Sequence, residues 1–170
     1  FRARVWRIFL DYEPVITSQS SFVLDRKRND YFDCLKRLFN PQQQMLWTSS
    51  QRDILLQVLR DLPRMQTKLL KDERINLIFQ HILFTYAVRH PASEYVQGMN
   101  DILFIFFIVF LSEKFENVDM EDIISKSNVD EINDKDLETI EADSFWCFSK
   151  FLDYFQDFYT KEQPGLYKID

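Results

Sequence analysis

Asp72-Glu73-Arg74-Ile75-Asn76-Leu77-Ile78-Phe79-Gln80-His81-Ile82-Leu83-Phe84-Thr85-Tyr86-Ala87-Val88-Arg89 is the stretch that decides the fold class. Ile75, Ile78, Phe79, Ile82, Leu83 and Tyr86 recur at steps of three and four, the spacing that lines one face of an α-helix. Asp72 suits the N-cap, because its carboxylate can accept from a first-turn amide, and Pro91 stops the pattern. A second segment of the same kind runs over 143–159, with Phe145, Phe148, Phe151, Leu152, Phe155 and Phe158 facing inward before Pro164-Gly165 ends it. Residues 102–111 are wholly apolar but only half of the roughly 20 needed to cross a bilayer, so they read as a buried helix. Ser50 and Asp53 have the spacing of a capping box at the head of Ile54-Leu55-Leu56-Gln57-Val58-Leu59. Pro63 then makes 60–64 a helix exit. Residues 2–11 and 25–38 read as further helices, ended by Pro14 and Pro41. No segment alternates with period two, so the fold class expected is all-α.

At 170 residues the chain is expected to form one domain over 1–170, able to hide about 70% of its unfolded surface. A hydrophobic content of 46% with 28% charged residues excludes a disordered or fibrous chain. The two glycines, Gly98 and Gly165, are too few for a phosphate-cradling loop, a dinucleotide fingerprint or a turn-rich β-sandwich. With 17 Phe among 16% aromatics, the core is expected to be built from large flat side chains. Cys34 and Cys147 lack metal-type spacing and only His81 and His90 could add nitrogen ligands, so no metal site and a reducing, cytoplasmic compartment are expected. The opening Phe1-Arg2-Ala3-Arg4-Val5-Trp6 already reads as helix, and the chain is expected to be an excerpt of something longer. Net charge is −6, with an acidic stretch over 113–143 and a mildly basic half over 2–74. The aromatics of that half sit at core spacing, which argues against a nucleic-acid surface. Residues 113–138 are expected to form an exposed acidic connection.

No nucleophile stands beside a base in any recognisable pattern. His81 and His90 belong to a strongly periodic helix and its end, where packing or a C-terminal role is the expectation. Two segments instead place a polar residue where the backbone must leave a helix. In Val58-Leu59-Arg60-Asp61-Leu62-Pro63-Arg64, the carboxylate of Asp61 is close enough in sequence to hold the Arg64 guanidinium on a proline-stiffened turn. In Tyr95-Val96-Gln97-Gly98-Met99-Asn100-Asp101, Gly98 stands at a helix entrance and Gln97 offers a donor and an acceptor together. Spacing alone favours a surface ion pair in the first segment and a helix turn capped by Asn100 or Asp101 in the second.

Taken in order, these segments resemble the TBC domain family, the helical GTPase-activating proteins of Rab GTPases. Arg2 and Trp6 match an opening Arg-x-x-x-Trp element. Val58, Asp61 and Arg64 match Ile-x-x-Asp-x-x-Arg with a conservative Val, and Tyr95, Gln97, Gly98 and Met99 match Tyr-x-Gln-Gly-Met. The likeness extends through Arg89-His90-Pro91-Ala92-Ser93 and Glu141-Ala142-Asp143-Ser144-Phe145-Trp146-Cys147-Phe148, and so covers most of the chain.

The resemblance implies a compact orthogonal helical array, with 1–170 the N-terminal portion of such a domain and its C-terminal helices absent. It implies that Arg64 enters a Rab nucleotide site as an arginine finger and Gln97 orients the attacking water. Asp61, Tyr95 and Gly98 would support the fingers, as would Arg2 and a buried Trp6. No independent catalysis and no cofactor of its own are implied: GTP and Mg2+ belong to the partner, a Rab in its GTP form. Recruitment would be cytoplasmic or peripheral on endomembranes, through that partner. Met65 departs from the family pattern, which has a small hydroxyl residue after the finger. The alternative is a non-catalytic helical module that binds a Rab or an adaptor.

Overall fold

A computed structural model describes residues 2–115, 122, 124 and 132–155. The frame among the described residues is made by α1 (Arg2–Phe9), α2 (Thr17–Leu38), α3 (Pro41–Met45), α4 (Ser49–Asp61), α5 (Glu73–Arg89), α6 (Met99–Leu111) and α7 (Asp134–Tyr154). Short 3-10 turns at Leu62–Arg64, Leu69–Lys71 and Ser112–Lys114 follow α4, precede α5 and follow α6. Among the described residues there is no strand.

The helix starts show which local signals govern the chain. Asp72 caps α5 by accepting from the Arg74 amide, as its position predicts. The capping box of α4 is formed by Thr48 and Gln51, two residues before the Ser50/Asp53 spacing. Glutamine reaches back to the N-cap amide as a shorter aspartate does not. Helix α2 begins eight residues before the expected 25, through a polar run with no side-chain cap at its head. Helix α7 begins at Asp134 rather than 143, where Asn133 accepts from the Asp136 amide, so its first turn lies within the stretch read as a connection. Residues 116–121, 123 and 125–131 of that stretch, and the expected helical residues 156–159 with Pro164 and Gly165, lie outside the described residues.

Helices α5, α6 and α7 form the centre, α6 packing most closely on α7 and α5 lying against α2, α4, α6 and α7. Phe79, Phe84, Phe107, Phe110, Phe145 and Phe148 are essentially solvent-free. Edge-on pairs join the helices: Phe79 with Phe107 at 5.3 Å and Tyr86 with Phe148 at 5.2 Å between ring centres. Large rings fill volume that would otherwise need several aliphatics, so truncating one to alanine costs about 3–5 kcal/mol. Trp6 is half-buried rather than buried. It meets Phe106 of α6 edge-on at 5.2 Å and lines an open apolar groove of about 650 Å³ with Phe9, Ile105 and Phe155.

A buried ionic cluster ties α1 and α2 to α7. Arg7 donates to Glu13 (3.0 Å), Glu113 (2.7 Å) and Asp143 (3.1 Å). Asp143 also accepts from Arg28 at 2.8 and 2.9 Å and from the Tyr12 hydroxyl at 2.7 Å. Charges this deep are tolerated only when paired and fully hydrogen-bonded. Burial opposes the Arg7 charge, yet Glu113, Asp143 and Glu13 hold its guanidinium above its ordinary range. His81 is a packing residue of the same sort, with Nδ1 3.0 Å from a Glu141 oxygen that also accepts from Tyr31 at 2.8 Å. His90 caps the end of α5, its ring nitrogen 2.8 Å from the Tyr86 carbonyl.

Candidate functional site

Helix α4 ends at Asp61, and Pro63 converts the next three residues into a 3-10 turn. Leu62 buries itself beside Asp61 as an anchor, and the turn pushes Arg64 out to solvent. The Arg64 Nη1 donates to Asp61 Oδ1 at 3.0 Å. Its other guanidinium nitrogens have no partner among the described residues. Met65, the departure from the family pattern, is half-buried against the core with its amide on the Leu62 carbonyl, and leaves the guanidinium accessible.

The second segment follows α5. Ser93 and Glu94 donate their amides to the His90 carbonyl, and Glu94 takes a positive φ of 52°, reversing the chain. Tyr95 is buried, Gln97 exposed. Gly98 is the N-cap of α6 at φ 100°, a conformation an L side chain resists. Nothing lies within 4 Å of where its Cβ would stand. Glycine is therefore required by the backbone here rather than by crowding, and the turn's outer face is left open.

One carboxylate joins the two segments. Asp61 Oδ2 accepts from the Tyr95 hydroxyl at 3.0 Å while Oδ1 holds Arg64. Burial, the hydrogen bond to Asp61 and the nearby negative charge push the Tyr95 phenol up from its ordinary range, so it stays a donor. The bridge places the Arg64 turn beside the Gln97 turn, with both polar side chains exposed and Gln97 without a partner among the described residues. Arg2 is exposed on the first turn of α1, and Trp6 packs on Phe106, two turns into α6, rather than on either polar turn. Asn100 was legible only as a candidate cap: its Oδ1 accepts from the Gly98 amide at 3.2 Å and lies 3.4 Å from the Tyr95 hydroxyl. Among the described residues no group of three or more His, Cys, Asp or Glu side chains could hold a metal.

The model of the Rab-GTPase-TBC domain family matches residues 1–169 of this all-α chain. The chain belongs to this family. It is 40% identical to TBC1 domain family member 22B of Homo sapiens over 167 residues, 98% of this chain and 32% of that protein. It is 36% identical to GTPase-activating protein GYP1 of Saccharomyces cerevisiae over 169 residues, 97% of this chain and 25% of that protein. Among solved structures it matches the Ypt/Rab-GAP domain of Gyp1p with a TM-score of 0.86 and 34% identity, covering 98% of this chain and 51% of that one. The chain thus spans about a third or less of these relatives' length and about half of that solved domain.

Proposed function

We propose that the protein accelerates GTP hydrolysis by a Rab-type GTPase, with Arg64 and Gln97 completing the partner's active site. The observation that carries this is the pair of exposed polar side chains, Arg64 held to Asp61 by one nitrogen only and Gln97, on two turns joined through Asp61 and Tyr95. Phosphoryl transfer asks a protein for positioning and charge stabilisation rather than covalent chemistry. Arg64 supplies a cation that cannot lose its proton and whose planar fork matches phosphoryl oxygens. Asp61 occupies one of its nitrogens and leaves the rest of the fork to reach out. Gln97 can accept from an attacking water while donating to a γ-phosphoryl oxygen. The chain supplies no cofactor: GTP and Mg2+ arrive on the partner, which must be in its GTP form. Peripheral membrane recruitment would follow the partner; no helix among the described residues is long and apolar enough to cross a bilayer.

The test uses the full-length protein and a panel of GTP-loaded Rab proteins. Wild type accelerates phosphate release from at least one member, and Arg64→Ala removes about 10³-fold or more of that acceleration with the helical circular dichroism unchanged. The responding Rab, loaded with GDP and aluminium fluoride, binds wild type more tightly than the GDP form does. Binding without acceleration, equal for both forms, would show a non-catalytic module instead.

A further inference from the structure

Asn100 makes two contacts with the Gln97 turn that are not equivalent. The Tyr95 hydroxyl carries one proton, and the charged Asp61 oxygen at 3.0 Å is a better acceptor for it than the neutral Asn100 oxygen at 3.4 Å. The Gly98 N–H has no such choice. It lies at the head of α6, where first-turn amides lack carbonyl partners, and meets Asn100 Oδ1 at 3.2 Å. That bond orients the Asn100 carboxamide, oxygen toward Gly98. Asn100 is itself almost fully buried, so its side chain cannot swing away without leaving a polar group unpaired.

The N–H of Gly98 belongs to the peptide plane that begins at the Gln97 carbonyl. Holding that plane sets ψ of Gln97, and with it the direction in which the Gln97 side chain leaves the backbone. We propose that Asn100 is the positioning residue for Gln97: its carboxamide oxygen locks the Gln97–Gly98 peptide through the Gly98 amide. The inference rests on the role given to Gln97 above. A neutral acceptor suits the place, because a carboxylate would set a second negative charge near Asp61, with Tyr95 able to donate to only one of them.

The experiment uses the full-length protein, a responding GTP-loaded Rab, and amide exchange read at Gly98. Asn100→Ala lowers maximal turnover about 10- to 100-fold while the Rab concentration for half-maximal rate changes less than about twofold. In a Gln97→Ala background the same change costs nothing further, since its route of action is gone. Asn100→Asp keeps an acceptor oxygen for the Gly98 amide but adds the second negative charge near Asp61, and so recovers only part of the loss. Exchange of the Gly98 amide speeds up about tenfold or more in Asn100→Ala and stays slow in Gln97→Ala. Equal losses in both backgrounds, as from general loosening of the fold, would overturn the proposal. Unchanged exchange at Gly98 would overturn it whether or not any Rab responds, whereas a wild type that accelerates no Rab would overturn the proposed function first.

Discussion

At the end of α4 a guanidinium 67% exposed is held to a carboxylate only 7% exposed. An ion pair with one partner in water contributes about 0.5 kcal/mol or less, so folding gives little reason to keep an arginine there. In the role proposed for it, facing a γ-phosphoryl group in a dry cleft, the same guanidinium would be worth several kcal/mol of barrier, because charge develops on the phosphoryl oxygens. Asp61 differs from Arg64 in this respect: it is buried, serves two partners, and its removal would unpair both turns at once. Arg64→Lys is therefore expected to leave the melting temperature within experimental error. The activation of the responding Rab should fall about 10- to 100-fold, because a point charge on a flexible stem cannot reproduce the planar fork. Thermal melting and single-turnover hydrolysis check the two halves of that expectation.

At the scale of elements, legibility followed the strength of the local rule. The period of 72–89 and the cap at Asp72 specify α5 nearly to the residue, and Pro63 sets the exit of α4 where the 3-10 turn forms. The turns that carry Arg64 and Gln97 are legible because they occur where proline and glycine leave the backbone few alternatives. The start of α2 was not. Thr17, Ser18, Ser20 and Ser21 have weak helix propensity, and the hold comes from contacts such as the Ser20 hydroxyl donating to Glu13 at 2.7 Å. Likewise Asn133 and Asp136 sit in an acidic, aromatic-poor stretch whose composition resembles a loop, although Asn133 caps α7. Asn100 is legible in the sequence only as a cap, because its contact with the Gly98 amide goes with the positive φ of Gly98, which a glycine permits but does not announce.

Across the whole molecule, what no sequence pattern could give is the pairing of charges from distant helices. Arg7 and Asp143 stand 136 residues apart, and nothing in either neighbourhood selects the other from the chain's many acids and bases. The cluster they anchor should control acid stability. Burial pushes the Glu13 carboxyl up, but hydrogen bonds from Ser20, Arg7 and Arg4 outweigh it and hold the group below the usual carboxylate range. Asp72 is lowered in the same sense: burial raises it, and the side chain and amide of Arg74 more than offset that. A carboxyl depressed by folding adds stability that is complete above its unfolded pKa and is lost as pH falls through the folded value. Stability to urea should therefore decline from about pH 5 downward. Glu13→Gln should cost about 2 kcal/mol at pH 7 and flatten that decline; a variant with the wild-type slope would contradict the assignment.

The most direct measurement is a double-mutant cycle on GTP hydrolysis by the responding Rab, comparing full-length wild type, Arg64→Ala, Gln97→Ala and the double variant. If both side chains act on one transition state from a shared Asp61–Tyr95 bridge, each single change removes most of the acceleration and the second adds little, an interaction energy of about 2 kcal/mol or more. Independent, additive losses, or a single variant that still accelerates hydrolysis at the wild-type rate, would contradict it.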